Sequence, residues 1–225
     1  MIVIVHKDGS VEKVSSSRFT QQTKGYNTHT VIGGEFAVGK DEDDVAFKTL
    51  LGSCVALMFY DKDKKIKGMN HFLLPKTENT IDDMKYGLYS VEAMLNEMYK
   101  MGCKKQNMIA KISGGADIMQ LNLSNASIGQ RNVEFAKEFC RSEGFKVLSE
   151  HTRGEHGRLI LLADNFDTFI KVTQKTDTDN KILTEEKKLQ TEITKAPVIK
   201  EYSGAVEIFG VENKEVEPQM EIELF

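Results

Sequence analysis

At 225 residues the chain has room for one substantial domain with a core and some appendages, whereas two full domains would be cramped. Its 40% hydrophobic and 28% charged residues suit a soluble globular protein, and a formal net charge of −4 gives no basic footprint for nucleic acid. The opening apolar run is too short for a signal peptide, and no stretch approaches the roughly 20 apolar residues of a membrane span, so a cytoplasmic protein without membrane insertion is expected.

In chain order, a short strand is expected at 2–5, followed by a Ser/Thr/Gln-rich passage without clear periodicity, so residues 1–30 read as an N-terminal extension. Strands are expected at 31–38 and 46–51, separated by the acidic turn Asp41-Glu42-Asp43-Asp44. Gly52 allows a bend, and the apolar runs 55–60 and 72–74, joined by the charged segment 61–65, read as two strands of a hairpin. Thr80 is an N-cap with Asp82 and Asp83 in the first turn. Met84, Leu88, Val91, Leu95 and Met98 recur at helical spacing until Gly102 stops the helix.

A buried strand at 107–112 follows, then a Gly114-Gly115 loop running to about residue 125. Val133, Ala136, Phe139 and Cys140 mark a second amphipathic helix ending before Gly144, and short strands are expected at 145–148, 158–163 and 168–172. This mixture predicts an α/β or α+β layered domain. From about residue 173 the composition turns polar, so 175–200 read as a linker or a loosely held helix, and a chain ending near 175 is expected to stay folded and active. Residues 201–225 form an acidic tail with seven glutamates and one lysine. It carries the related elements Val206-Glu207-Ile208-Phe209 and Ile222-Glu223-Leu224-Phe225, suited to adding a strand to a partner's sheet edge or to this protein's own.

The chemistry is expected at Cys54 and His71, which sit at the mouths of the two hairpin strands. A cysteine is a good nucleophile only as thiolate, and its free pKa of about 8.5 leaves little of that form at neutral pH without an imidazole or a positive dipole nearby. Either residue taken singly reads more simply as core. The other thiols, Cys103 and Cys140, read as small hydrophobes, and three cysteines without paired spacing indicate neither a disulfide framework nor a zinc site. An activated Cys54 is expected to take iodoacetamide ahead of those two. His6, His29, His151 and His156 lack metal-ligand spacing, so no metal site is assigned.

Thr-Leu-Leu-Gly-Ser-Cys-Val at 49–55, followed by Gly-x-x-His-x-x-Leu-Pro at 68–75, closely resembles the signature of the CheD family of bacterial chemoreceptor glutamine deamidases. Ala110-Lys111-Ile112-Ser113-Gly114-Gly115-Ala116, Ile128-Gly129-Gln130-Arg131-Asn132 and Gly154-Glu155-His156-Gly157-Arg158 resemble three further blocks of the family in the same order. The resemblance covers roughly residues 30–174, so 31–174 read as a CheD-like deamidase domain. It implies a sandwich of mixed sheets with helices outside, a Cys54 nucleophile, a His71 base and a third catalytic residue at Thr49, whose hydroxyl would orient His71 or assist the oxyanion.

Ser53, Arg131 and Asn132 are candidates for oxyanion or substrate contacts, while Gly114, Gly115 and Gly129 read as backbone requirements. The implied reaction is hydrolysis of glutamine side chains of methyl-accepting chemotaxis receptors through a thioester, with no cofactor and with CheC as an implied further partner. An interaction module of the same adaptation system, with slow or vestigial catalysis, is the alternative. A cysteine peptidase would use similar groups, but the papain-type sequence around the cysteine is missing.

Overall fold

The computed structural model of the chain describes residues 2–6, 10–15, 22–74, 80–118, 127–173 and 177–195. The acidic tail and its repeated elements lie outside the described residues, as do the side chains of Thr80, Asp82, Asp83 and Met84. Among the described residues the strands are β1 (Ile2–Val5), β2 (Val11–Val14), β3 (Gln22–Thr23), β4 (Tyr26–Thr30), β5 (Phe36–Lys40), β6 (Val45–Leu51), β7 (Val55–Asp61), β8 (Ile66–Asn70), β9 (Met108–Gly114), β10 (Lys146–Thr152), β11 (Arg158–Leu162) and β12 (Thr168–Val172). The helices are α1 (Thr80–Lys100), α2 (Ile128–Ser142) and α3 (Asp177–Lys195).

They build an α+β sandwich. A seven-stranded sheet in the order β10-β9-β7-β8-β5-β1-β2 faces a five-stranded sheet in the order β12-β11-β6-β4-β3. Both sheets are mixed, since β9/β10 and β4/β6 pair in parallel and the other pairs are antiparallel. Side chains of β7 alternate as a strand must: Val55, Leu57 and Phe59 face a core shared with α1 and α2, whereas Ala56, Met58 and Tyr60 face the second sheet. Helices α1 and α2 thus cover one face of the large sheet and the small sheet covers the other.

Local chemistry explains where the elements start and stop. The Asp61 carboxylate accepts the N–H groups of Asp63 and Lys64, both at 2.9 Å, which closes the β7–β8 turn so tightly that pairing resumes at Ile66. The second hairpin strand therefore lies at 66–70 rather than at the expected 72–74, and Phe72 keeps one isolated bridge to Val55. Gly102 ends α1 at φ +92°, with the Cys103 N–H donating to Met98 O at 3.1 Å. Helix α2 begins five residues before the expected Val133 because Ser127 caps it, its hydroxyl accepting the Gln130 N–H at 3.1 Å.

The two ends of the chain are drawn into the sandwich. Residues 1–30 were expected as an extension, yet β1 lies between β5 and β2 with Ile2 and Ile4 in one core and Val3 and Val5 in the other, and β4 pairs with β6. Helix α3 runs through the expected linker and seats Ile182, Leu189 and Ile193 as buried residues, so hydrophobic packing continues past residue 174. No helix among the described residues is long and apolar enough to cross a membrane.

At the end of the sandwich marked by Asp41 and Asp164, a buried cation ties the layers. Lys67 of β8 has no exposed surface and its ammonium meets Asp41 at 3.4 Å and also Asp164, which follows β11 of the other sheet. Lys67→Ala strands two carboxylates near a dry interface and should cost about 2–4 kcal/mol, less than for a fully buried pair because Asp164 keeps some water. Urea denaturation of the variant checks this.

Candidate active site

Residues 52–54 are the short crossing from β6 of the small sheet to β7 of the large one, and their backbone is gripped from one side. Gly52 O accepts the Ala116 N–H at 2.7 Å, Ser53 O accepts Asn132 Nδ2 at 2.7 Å, and Cys54 O accepts the Gly115 N–H at 2.7 Å. Asn132 is wholly buried and its Oδ1 also accepts the Leu74 N–H at 2.9 Å, which fixes the crossing against the segment after β8 that carries His71. Such close approach needs glycine. A Cβ on Gly114, itself at φ +119°, would fall 2.2 Å from Cys54 O, and one on Gly129 would fall 2.5 Å from Gly115 O.

With the carbonyls held back, the N–H groups of Gly52, Ser53 and Cys54 converge on one point. That point is the carboxylate of Glu186 on α3: Oε1 accepts from Gly52 at 3.0 Å and Cys54 at 2.9 Å, and Oε2 accepts from the Ser53 N–H at 3.0 Å and the Ser53 hydroxyl at 2.7 Å. Consecutive N–H groups aimed at one anion form a nest for negative charge. Glu186 is buried there, directly beside the Cys54 thiol.

The imidazole comes from the segment after β8, the neighbour of β7 in the large sheet. His71 follows β8, and its backbone is held by the His71 N–H donating to Glu35 O at 3.0 Å and by the Gly34 N–H donating to His71 O at 2.8 Å. Its Nδ1 lies 2.8 Å from Oγ1 of Thr49, an inward-facing residue of β6, and Thr49 Oγ1 also lies 2.8 Å from Val31 O. The carbonyl can only accept, so the single hydroxyl proton goes to Val31, and Thr49 must accept a proton from Nδ1. That assigns the Nδ1–H tautomer and leaves Nε2 with a free lone pair. Burial lowers the His71 pKa against the raising influence of Glu186, so the ring is neutral at neutral pH, as a base must be.

Nε2 is buried and meets no hydrogen-bond partner among the described residues, the Cys54 thiol included. The thiol is completely buried, and its pKa is pushed well above the ordinary value by burial, by the Glu186 charge and by its hydrogen bond to that carboxylate. Burial likewise pushes Cys103 and Cys140 up to about 12. In this arrangement Cys54 has no thiolate advantage over the other two, contrary to the expected order of alkylation.

The structure thus brings Thr49, Ser53, Cys54, His71 and Asn132 together, with Asn132 holding backbone instead of facing the nest. Arg131, one residue earlier and so about 100° round the helix, is half-buried, its backbone N–H donating to Ser127 O at 3.0 Å. Glu186 escaped the sequence reading. Its signal is the spacing of Ile182, Glu186, Leu189 and Ile193, which places a carboxylate within an apolar helical stripe.

A two-sheet α+β protein with a thiol, a tautomer-fixed imidazole and an anion nest at one end is the class defined by these features. A family model described as CheD chemotactic sensory transduction matches residues 73–172. A protein of Methanococcus vannielii named "Probable chemoreceptor glutamine deamidase CheD" is 37% identical over 132 residues, which cover 58% of this chain and 84% of that one. Proteins of the same name from Cupriavidus metallidurans (35% over 178 residues, 74% of this chain and 78% of that one) and Agrobacterium fabrum (40% over 132 residues, 58% and 71%) are similar to it as well. The chain belongs to the CheD family.

Two outcomes follow from the geometry. Alkylation of Cys54 by iodoacetamide should be slow at neutral pH, no faster than at Cys103 and Cys140, and should rise only at alkaline pH, because a raised pKa withholds thiolate until pH exceeds it. Peptide mapping of the labelled protein across pH reads this. Asn132→Ala leaves the Leu74 N–H and Ser53 C=O buried without their partner and should cost about 2–4 kcal/mol in denaturant unfolding.

Proposed function

We propose that this chain hydrolyses glutamine side-chain amides of methyl-accepting chemotaxis receptors to glutamate and ammonia, with Cys54 as nucleophile and His71 as base. The relatives are named for this activity, and the observation that carries it to this chain is the nest at Gly52–Cys54, which grips a side-chain carboxylate against the thiol.

His71 Nε2 takes the thiol proton, and the Cys54 sulfur bonds to the amide carbon while the carbonyl π pair moves onto oxygen, where the three N–H groups stabilise it. Collapse of this intermediate breaks the C–N bond, the imidazolium giving its proton to the departing nitrogen, so ammonia leaves and a thioester remains. Water, giving a proton to the same imidazole, adds to the thioester carbon, and the C–S bond then breaks to return the thiol and a carboxylate.

Thr49 orients the ring through Nδ1, Ser53 contributes an N–H and a hydroxyl to the nest, and Asn132 positions the crossing. No step calls for a metal or an organic cofactor. The partner CheC, implied by the resemblance, would meet the same end of the molecule and compete with receptors.

A second reading, an interaction module with slow catalysis, draws support from the filled nest and from an imidazole Nε2 that makes no hydrogen bond to the thiol. Incubating a receptor cytoplasmic fragment with the protein and measuring intact mass separates the two. The deamidase converts amides to carboxylates, Cys54→Ala abolishes conversion, and His71→Ala slows it by about 10²–10⁴-fold or more. Thr49→Val, which keeps the ring's packing but removes its acceptor, should lower the rate by a smaller factor. Conversion that persists in Cys54→Ala at the wild-type rate would sink the mechanism.

A further inference from the structure

Helix α3 does more than cover the site. Its buried stripe, Ile182, Glu186, Leu189 and Ile193, runs at intervals of four, three and four residues, one face of a helix. The surface beneath is hollowed at glycines: a Cβ on Gly52 would come within 2.7 Å of Ile182 and 2.9 Å of the Glu186 carboxylate, one on Gly157 within 2.5 Å of Ile182, and one on Gly33 within 2.4 Å of Leu189. These glycines lie in three separate segments, so the hollow is a groove shaped for a helix.

What the helix delivers into the nest is chemically specific. A glutamate side chain is the product of hydrolysing a glutamine side chain, and Glu186 holds its carboxylate where the amide carbon and oxygen of a substrate would meet the thiol and the N–H groups. Burying a carboxylate is costly unless its oxygens are satisfied, and here four donors satisfy them.

We propose that this groove is a docking surface for amphipathic helices that present glutamine with apolar residues four before, three after and seven after it, and that α3 occupies it in cis as a tethered product mimic. The proposal rests on the deamidase reading for what happens to the glutamine, though not for what fills the groove. Substrate helices then reach Cys54 in the fraction of chains whose α3 has left, and the observed rate scales with that fraction.

The test uses the full-length chain. Glu186→Gln, nearly isosteric and so expected to fold, places a carboxamide against the thiol. Intact mass should show loss of its amide nitrogen as ammonia, giving either the carboxylate or a thioester to Cys54 if water is kept out, and adding Cys54→Ala should prevent the loss. Glu186→Ala and, away from the nest, Leu189→Asp should each deamidate a receptor cytoplasmic fragment about tenfold or more faster than wild type. A synthetic peptide of residues 177–195 should slow Leu189→Asp, and the same peptide carrying Glu186→Ala should not.

Equal receptor rates in wild type and both variants, with no effect of the peptide and an unchanged amide in Glu186→Gln, would overturn the docking proposal and leave the deamidase reading standing. Should no variant modify receptor or residue 186, the deamidase reading falls, and iodoacetamide decides the groove separately. Faster alkylation of Cys54 in Glu186→Ala and Leu189→Asp supports occupancy by α3, whereas unchanged alkylation refutes it.

Discussion

Three backbone carbonyls, those of Gly52, Ser53 and Cys54, are pulled the same way by Ala116, Asn132 and Gly115, and the rest of the site depends on that pull. A peptide unit is rigid, so a carbonyl held in place fixes the N–H of the next residue: Gly52 O sets the Ser53 N–H and Ser53 O sets the Cys54 N–H, two of the three donors that meet Glu186. The consequence is a nest of donors organised before any ligand arrives, which costs nothing to reorient when charge develops on an oxygen. The glycines behind it serve contact more than flexibility, because a methyl group at 114 or 129 would occupy the space of the carbonyls they face.

The Thr49–His71 hydrogen bond is assembled across the sandwich. Thr49 belongs to the small sheet and His71 follows a strand of the large one, so the hydrogen bond that sets the imidazole tautomer exists only while the two sheets pack face to face. Packing at the distant Lys67 contact and tautomer selection at His71 therefore share one structural requirement, the spacing of the layers. A neutral, buried ring suits proton abstraction, and the same burial that keeps it neutral also raises the thiol. The carboxylate of Glu186 adds to that rise, so the arrangement with α3 in place is poor in nucleophile while its geometry for binding an acyl group is complete.

That combination gives α3 a double character. It contributes apolar side chains to the core between the sheets, as any stabilising helix does, yet at its centre it inserts a charged group into a nest of backbone donors prepared to receive an anion. Helix and nest satisfy each other, since an empty nest would leave three buried N–H groups in want of a partner and an undocked α3 would expose Ile182, Leu189 and Ile193.

Period and punctuation in the sequence determined a good part of this. The apolar run through 55–60, the spacing from Val91 to Met98 and the stop at Gly102 are local patterns whose cause lies within a few residues, and β7 and α1 follow them. Cys54 and His71 were legible as a pair because a short hairpin joins them, and Thr49 entered through the family motif. What tertiary structure decided were the relations between segments distant along the chain. Strand β1 reads as a stray apolar run until β5 and β2 flank it. Asn132 reads as a candidate substrate or oxyanion contact until Ser53 and Leu74 meet it, and Glu186 sits in a stretch too polar to suggest a core until the groove supplies its neighbours. A side chain's role as donor or acceptor is written in its chemistry, but the partner that fixes the role is chosen by packing, and here that partner lies up to 134 residues away.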